Sequence, residues 1–380
     1  MSAVTDRLPT FPWDKLEPYK KTAAAHPDGI VDLSVGTPVD PVPDLIQKAL
    51  IAAADSPGYP TVWGTPALRD AITGWVERRL GARDVTHRHV LPIVGSKELV
   101  AWLPTHLGLG PGDRVAYPRL AYPTYEVGAR LARAEYEVYD TETFAATAAG
   151  TTLDPEGLKL LWLNSPSNPT GKVLSKDELT RIVAWAREHG ILIFSDECYL
   201  ELGWEADPVS VLHPDVNGGS YDGIVAVHSL SKRSNLAGYR AAFLAGDPAV
   251  LAPLLEIRKH GGMMTSSPTQ AAVIAALGDD THVQVQRERY LARRTALREA
   301  LVAHGFRIEH SEASLYLWAT RDESCWKTVA HLADLGILVA PGDFYGEAGE
   351  NFVRVALTAT DERVRAAVNR LITDQGVVAV

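Results

Sequence analysis

Short apolar runs alternate with amphipathic stretches along most of this chain, and that alternation limits its fold more than any other feature. The runs include VLPIV (Val90 to Val94), RVAYP (Arg114 to Pro118), LKLLWLN (Leu158 to Asn164), ILIFSD (Ile191 to Asp196), GIVAVHS (Gly223 to Ser229) and RAAFLAG (Arg240 to Gly246). Helical patterns lie between several of them. SKDELTRIVAWAREHG (Ser175 to Gly190) opens on a serine cap with an acidic residue three positions later and ends in glycine. Apolar strands separated by helices predict a mostly parallel sheet covered on both faces. Ligands in such sheets bind at the carboxyl ends of the strands.

The last hundred residues read differently. A long helical pattern starts near Thr281, short strands follow at LYLWAT (Leu315 to Thr320) and FVRVAL (Phe352 to Leu357), and helices are expected around Trp326 to Leu335 and Asp361 to Leu371. This is the pattern of a smaller α+β domain. The expected division is a large domain over 41–280 and a small one built from 1–40 and 281–380. A chain of 380 residues suits two packed domains. The net charge of −10 argues against nucleic acid, which calls for a basic face. Cys198 and Cys325 are the only cysteines, so neither a disulfide framework nor a cysteine metal cluster is expected. HRH at His87 to His89 has no third ligand nearby and reads as a polar loop, so no metal is expected. No signal-type or membrane-length apolar segment is present, which leads to the expectation of a cytoplasmic protein with no membrane partner.

The chemistry-bearing motifs sit just after expected strands. SLSKRSNLAGYR (Ser229 to Arg240) follows GIVAVH. A lysine amine there, Lys232, suits condensation with an aldehyde, and Ser229, Ser231 and Arg240 suit phosphate oxygens. A lone lysine would read as a solvated loop residue; its place after a strand favours chemistry. SDECY (Ser195 to Tyr199) ends ILIF, where an acid is costly unless paired. Asp196 opposite a pyridine nitrogen would keep the ring an electron sink, and Tyr199 would reach a ring phenolate. A helix cap is the plain alternative for Asp196. NSPSNPTGKV (Asn164 to Val173) is a turn signal, and its position after LKLLWL singles out Asn168. VGSKELVAWL (Val94 to Leu103) places Gly95, Ser96 and Lys97 at a helix start, with amides aimed at an anion. Tyr122, in AYPTYEV, suits stacking on a flat ring or an ordinary core position. Tyr59 lies in a Gly/Pro-rich loop before a helix, where a surface anchor is the alternative. Arg354 inside FVRVAL needs a partner, either a substrate carboxylate or a structural salt bridge.

In order and spacing these residues resemble the class I/II aminotransferases of the pyridoxal-phosphate (PLP) fold-type-I superfamily, over nearly the whole chain. The resemblance implies an α/β fold with a mostly parallel seven-stranded sheet between helices. It implies PLP held on Lys232, with Asp196 and Tyr199 also catalytic. Gly95, Ser96, Lys97, Tyr122, Asn168, Ser229, Ser231 and Arg240 would bind the cofactor. Substrates would be an amino acid and a keto acid, met by Gly36, Asn168 and Arg354. It further implies a homodimer in which Tyr59 reaches the neighbouring subunit's cofactor phosphate. LSVGTPVDPVP (Leu33 to Pro43), ELVAWLPT (Glu98 to Thr105), SDECYLELGW (Ser195 to Trp204), RKHGGMM (Arg258 to Met264) and APGDFYG (Ala340 to Gly346) look like the actinobacterial succinyldiaminopimelate aminotransferases of lysine biosynthesis. Such a substrate needs a distal pocket, for which Lys97, Trp63 and Tyr19 are the candidates. An aminotransferase for another amino acid (aspartate-like or aromatic) and a PLP-dependent β-lyase share the cofactor residues and stay open. A nicotinamide enzyme does not fit, because GLGPGD (Gly108 to Asp113) lacks the GxGxxG spacing. A PLP-sensing regulator does not fit either, since too few residues are expected before the first site loop for a DNA-binding domain.

Overall fold

The apolar runs become strands of one large sheet. The computed structural model describes residues 4–147 and 153–378, the last four of these as backbone alone. Seven strands form: β1 (Val90–Ile93), β2 (Arg114–Pro118), β3 (Glu135–Tyr139), β4 (Leu158–Asn164), β5 (Leu192–Asp196), β6 (Ile224–Ser229) and β7 (Ala242–Gly246). Their order across the sheet is β1-β7-β6-β5-β4-β2-β3. Neighbours from β6 to β3 are parallel, and β7 runs antiparallel to β6 and β1. Both faces are dry. Leu161, Leu163, Ile193, Ala226 and Phe243 face one helical layer, and Leu160, Trp162, Phe194, Val225 and Leu244 face the other. This double burial explains why these strands lack polar alternation.

Helix Lys176–Glu188 starts where the sequence indicates, with a reciprocal capping box between Ser175 and Glu178. Helix Thr281–Ala303 leads into a second sheet of β8 (Arg307–Glu309), β9 (Tyr316–Thr320), β10 (Ala340–Pro341) and β11 (Phe352–Ala356), ordered β10-β11-β9-β8 and antiparallel throughout. It has its own core around Tyr290, Leu297, Leu317, Trp318, Val353 and Val355. The N-terminal segment is stitched to this sheet. Val31–Asp32 pairs with Ile337–Leu338, and the Ala356 amide donates to Leu33 O at 2.8 Å. That stitch carries residues 34–36 to the seam between the two sheets. Among the described residues, no helix is long and apolar enough to cross a membrane.

Candidate active site

The sheet register gathers the motifs on one rim. Asn164, the last residue of β4, pairs with Asp196, the last of β5. Ser229 ends β6 and Ile93 ends β1, and both pair with Ala242, the first residue of β7. Arg240 therefore sits between the Gly95 turn and Ser231. The fit is close: a Cβ on Gly95 would lie 2.2 Å from Arg240 Nη2, and the backbone there has φ +100°. Only glycine meets both demands. Helix Ser96–His106 begins at once after this turn, so its free amides face the same space. Ser229 Oγ donates to Ser231 Oγ at 2.9 Å beside it.

Asp196 is buried, and its oxygens accept from Tyr125 Oη at 3.0 Å and from the Cys198 amide at 3.2 Å. No lysine or arginine pairs with it among the described residues. Burial raises its carboxyl pKa, against hydrogen bonds from Cys198 and Tyr125 that lower it. Lys232 Nζ donates to Gly36 O. Burial lowers the Lys232 pKa, with Arg354 and Arg240 adding to the effect against the pull of Tyr316.

Arg354 is 3% exposed at the centre of β11. Its Nη1 donates to Asn168 Oδ1 and its Nη2 to Ser34 O, both at 2.8 Å. Its guanidinium carbon lies 3.9 Å from the Tyr316 ring centre and 4.7 Å from that of Tyr345. No carboxylate pairs with it among the described residues, so the structural salt bridge considered from sequence is not what holds it. Tyr316 Oη also meets Tyr199 Oη at 2.9 Å. Burial pushes the Tyr199 phenol up; burial acts the same way on Tyr316, but Arg354 and Lys232 outweigh it and bring that phenol down. A Cβ on Gly36 would lie 2.2 Å from Tyr316 Oη, so Gly36 stands where a side chain would collide. The structure thus brings Lys232, Gly36, Asn168, Tyr199 and Arg354 together, with Asp196 and Tyr122 alongside.

Other expected residues lie apart. Lys97 is at the rim, with Nζ 6.0 Å from the Tyr122 ring centre and 5.9 Å from that of Phe11. Trp63 is covered by Arg69, 4.1 Å above its ring, and donates to Val90 O at 3.3 Å. Tyr19 packs on Trp326, with ring centres 5.4 Å apart. Tyr59 is 98% exposed. Tyr125, Tyr316, Tyr345 and Ser34 are site residues that sequence reasoning missed. Each lies within an apolar or turn segment that carries no chemical signal of its own.

Residues 28–371 match the family described as aminotransferase class I and II. The chain belongs to the class I and II aminotransferases. It is 60% identical over 364 residues to 4-dedimethylamino-4-oxo-anhydrotetracycline transaminase OxyQ of Streptomyces rimosus, covering 96% of this chain and 99% of that one. It is 59% identical over 368 residues to a probable aminotransferase of Mycobacterium tuberculosis, covering 97% and 86%. The fold matches a probable N-succinyldiaminopimelate aminotransferase from Thermus thermophilus, with TM-score 0.83, 27% identity and coverage of 94% and 98%. Aminotransferases of this class depend on PLP. The residues of this aminotransferase fit that cofactor. Asp196 is a buried carboxylate that no lysine or arginine pairs with among the described residues, suited to a pyridinium nitrogen. Lys232 is a buried amine with a lowered pKa, suited to an aldehyde. Gly95, Arg240, Ser229 and Ser231 make a cradle for a phosphate.

Proposed function

We propose that this aminotransferase moves an amino group from an amino acid, glutamate first among them, to N-succinyl-2-amino-6-ketopimelate, placing it in lysine biosynthesis. The observation that carries this reading is the pair of cations at two depths. Arg354 is buried and, among the described residues, unpaired by any carboxylate, and Lys97 stands at the rim beside Phe11 and Tyr122. A substrate with a carboxylate at its reacting end and another at its succinylated end matches both. The shared segments quoted above and the Thermus structure support the same substrate class. A second reading has its own support: OxyQ, at 60% identity, is named for a tetracycline-type ketone, and the aromatic rim suits a flat ring system as well.

In this proposal Lys232 binds the cofactor and then carries a proton from the substrate α-carbon. Bound PLP supplies the carbonyl for the incoming amine and the electron sink for the charge left on the α-carbon. Asp196 would hold the ring nitrogen, Tyr122 the ring face, and Asn168 and Tyr199 the phenolate oxygen. The Gly95–Ser96–Lys97 turn, Ser229, Ser231, Arg240 and Tyr59 of the partner subunit would hold the phosphate. Arg354 holds the α-carboxylate, and Gly36 leaves room for the substrate. The exposed Tyr59 supports the homodimer. We take 41–280 as one domain, with 1–40 and 281–380 as the other, so the substrate sits at their seam.

An amino-acceptor screen with glutamate as donor tests this, read as 2-oxoglutarate formed. N-succinyl-2-amino-6-ketopimelate should lead. A lead for a polycyclic ketone would transfer the assignment to the second reading. Ammonia, a free thiol and pyruvate released together from an S-substituted cysteine, with no amino acceptor present, would mean a β-lyase.

A further inference from the structure

We propose that the Tyr345 hydroxyl is a specificity-determining contact, donating a hydrogen bond to the substrate carboxylate beside Arg354. The inference rests on the reading of Arg354 as the carboxylate anchor.

Tyr345 ends the short turn Gly342–Tyr345 that follows β10. Its backbone is fixed next to the cofactor-stacking segment, since Ala121 N donates to Tyr345 O at 2.9 Å. The side chain is 4% exposed, and its ring centre lies 4.7 Å from the Arg354 guanidinium carbon. Its hydroxyl nevertheless has no hydrogen-bond partner among the described residues. The neighbouring tyrosines differ, because Tyr199 and Tyr316 bond each other. Arg354 shows a matching gap. Its two terminal nitrogens are engaged by Asn168 and Ser34, but its Nε is buried with no partner.

A buried hydroxyl left unpaired destabilises the free protein, so its persistence needs a reason. Two neighbouring side chains, with the guanidinium carbon of one 4.7 Å from the ring centre of the other, each keep a buried donor unpaired among the described residues, an Nε–H and an O–H, and a two-oxygen acceptor is the group that can take from both. A carboxylate is that group, and a charged acceptor gives each bond more strength than a neutral one. The charged or ionisable groups around the hydroxyl are Arg354, Tyr316 and Tyr122, and none of them is a carboxylate. Burial pushes the Tyr345 phenol above its ordinary range, so it remains a donor wherever the enzyme works.

Tyr345→Phe keeps the ring over Arg354 and removes the donor alone. The holoenzyme would be titrated with 2-aminoisobutyrate, an amino acid with one carboxylate and no α-proton, following the visible spectrum of the bound cofactor. Isopropylamine, the same skeleton without the carboxylate, is the control. The variant should bind 2-aminoisobutyrate roughly ten-fold or more weakly, the worth of one hydrogen bond to a charged group, and bind isopropylamine unchanged. Its ligand-free melting temperature should hold or rise, because an unpaired polar group has gone. A purely structural hydroxyl predicts the reverse pattern: a lower melting temperature with unaltered binding. Equal weakening on both ligands would also overturn the proposal. Arg354→Lys, run in parallel, separates the two levels. If it weakens 2-aminoisobutyrate and Tyr345→Phe does not, the hydroxyl is idle while the anchor stands. If neither weakens it, the anchor reading itself fails.

Discussion

An alanine at position 36 would carry its Cβ to 2.2 Å from Tyr316 Oη and 2.8 Å from its Cζ. Both are far inside contact distance, and Tyr316 has little freedom to yield. It is 3% exposed, its hydroxyl is bonded to Tyr199, and Arg354 lies 3.9 Å over its ring. Moving the ring gives up a hydrogen bond worth about 1 kcal/mol and part of a desolvated cation–π contact worth about 2 kcal/mol. Leaving it in place keeps the strain of overpacking, about 1–3 kcal/mol. Either way the loss is about 2 kcal/mol, and a shift of Gly36 O also disturbs Lys232. Gly36→Ala should therefore lower kcat/KM roughly thirty-fold, with a lower melting temperature. The decisive assay is a double-mutant cycle. Tyr316→Phe removes the atom at 2.2 Å and leaves the nearest contact at 2.8 Å, so the double variant should recover at least about 1 kcal/mol against the sum of the singles. Additivity to within about 0.5 kcal/mol would show that the methyl group does not meet Tyr316, and the reasoning would be wrong.

Lys232→Ala should abolish the visible absorption of the bound cofactor and nearly all turnover; a variant that keeps both removes Lys232 from the chemistry. Asp196→Asn should bind PLP yet slow α-proton abstraction. It also has a pH signature. Because burial raises the Asp196 pKa, the cofactor-free folded chain keeps a proton that the unfolded chain has already lost, and stability falls as pH rises through the folded value. The cofactor-free variant should lack that slope and outlast its parent on the alkaline side, while with PLP the order reverses. Melting curves across about pH 4–8 check it, and parallel curves for parent and variant would refute it. In light scattering at assay concentration the enzyme should run as a homodimer, and a fully active monomer would contradict the role given to Tyr59.

How much of this was legible follows from burial. Six of the seven strands show as apolar runs because their faces are dry, the edge strand β1 included, which is buried along its whole length. The other edge strand, β3, does not, because EYEVY turns Glu135, Tyr136 and Val138 to solvent. Arg354 was visible as a charge inside an apolar strand. Tyr316 was not: in LYLWAT it looks like any core aromatic, and only the pairing of β9 with β11 brings it beneath Arg354. Trp63 and Tyr19 show the opposite limit. Both are near site segments in sequence, but Arg69 and Trp326 take up their rings. Sequence proximity does not say where an aromatic ring points.

The reversed direction of β7 has a consequence for how tightly an anion is gripped. Arg240 precedes the strand, so its distance from Ser229 and Gly95 is measured off by two backbone ladders rather than by the intervening loop. A ladder moves in steps. A slip of one residue turns the side chains of β7 to the wrong faces, and a slip of two carries Arg240 about 7 Å along the rim. Neither leaves a usable seat, so the backbone can make the seat or lose it but cannot widen it gradually. Any graded change in grip must come from the side chains that line the seat.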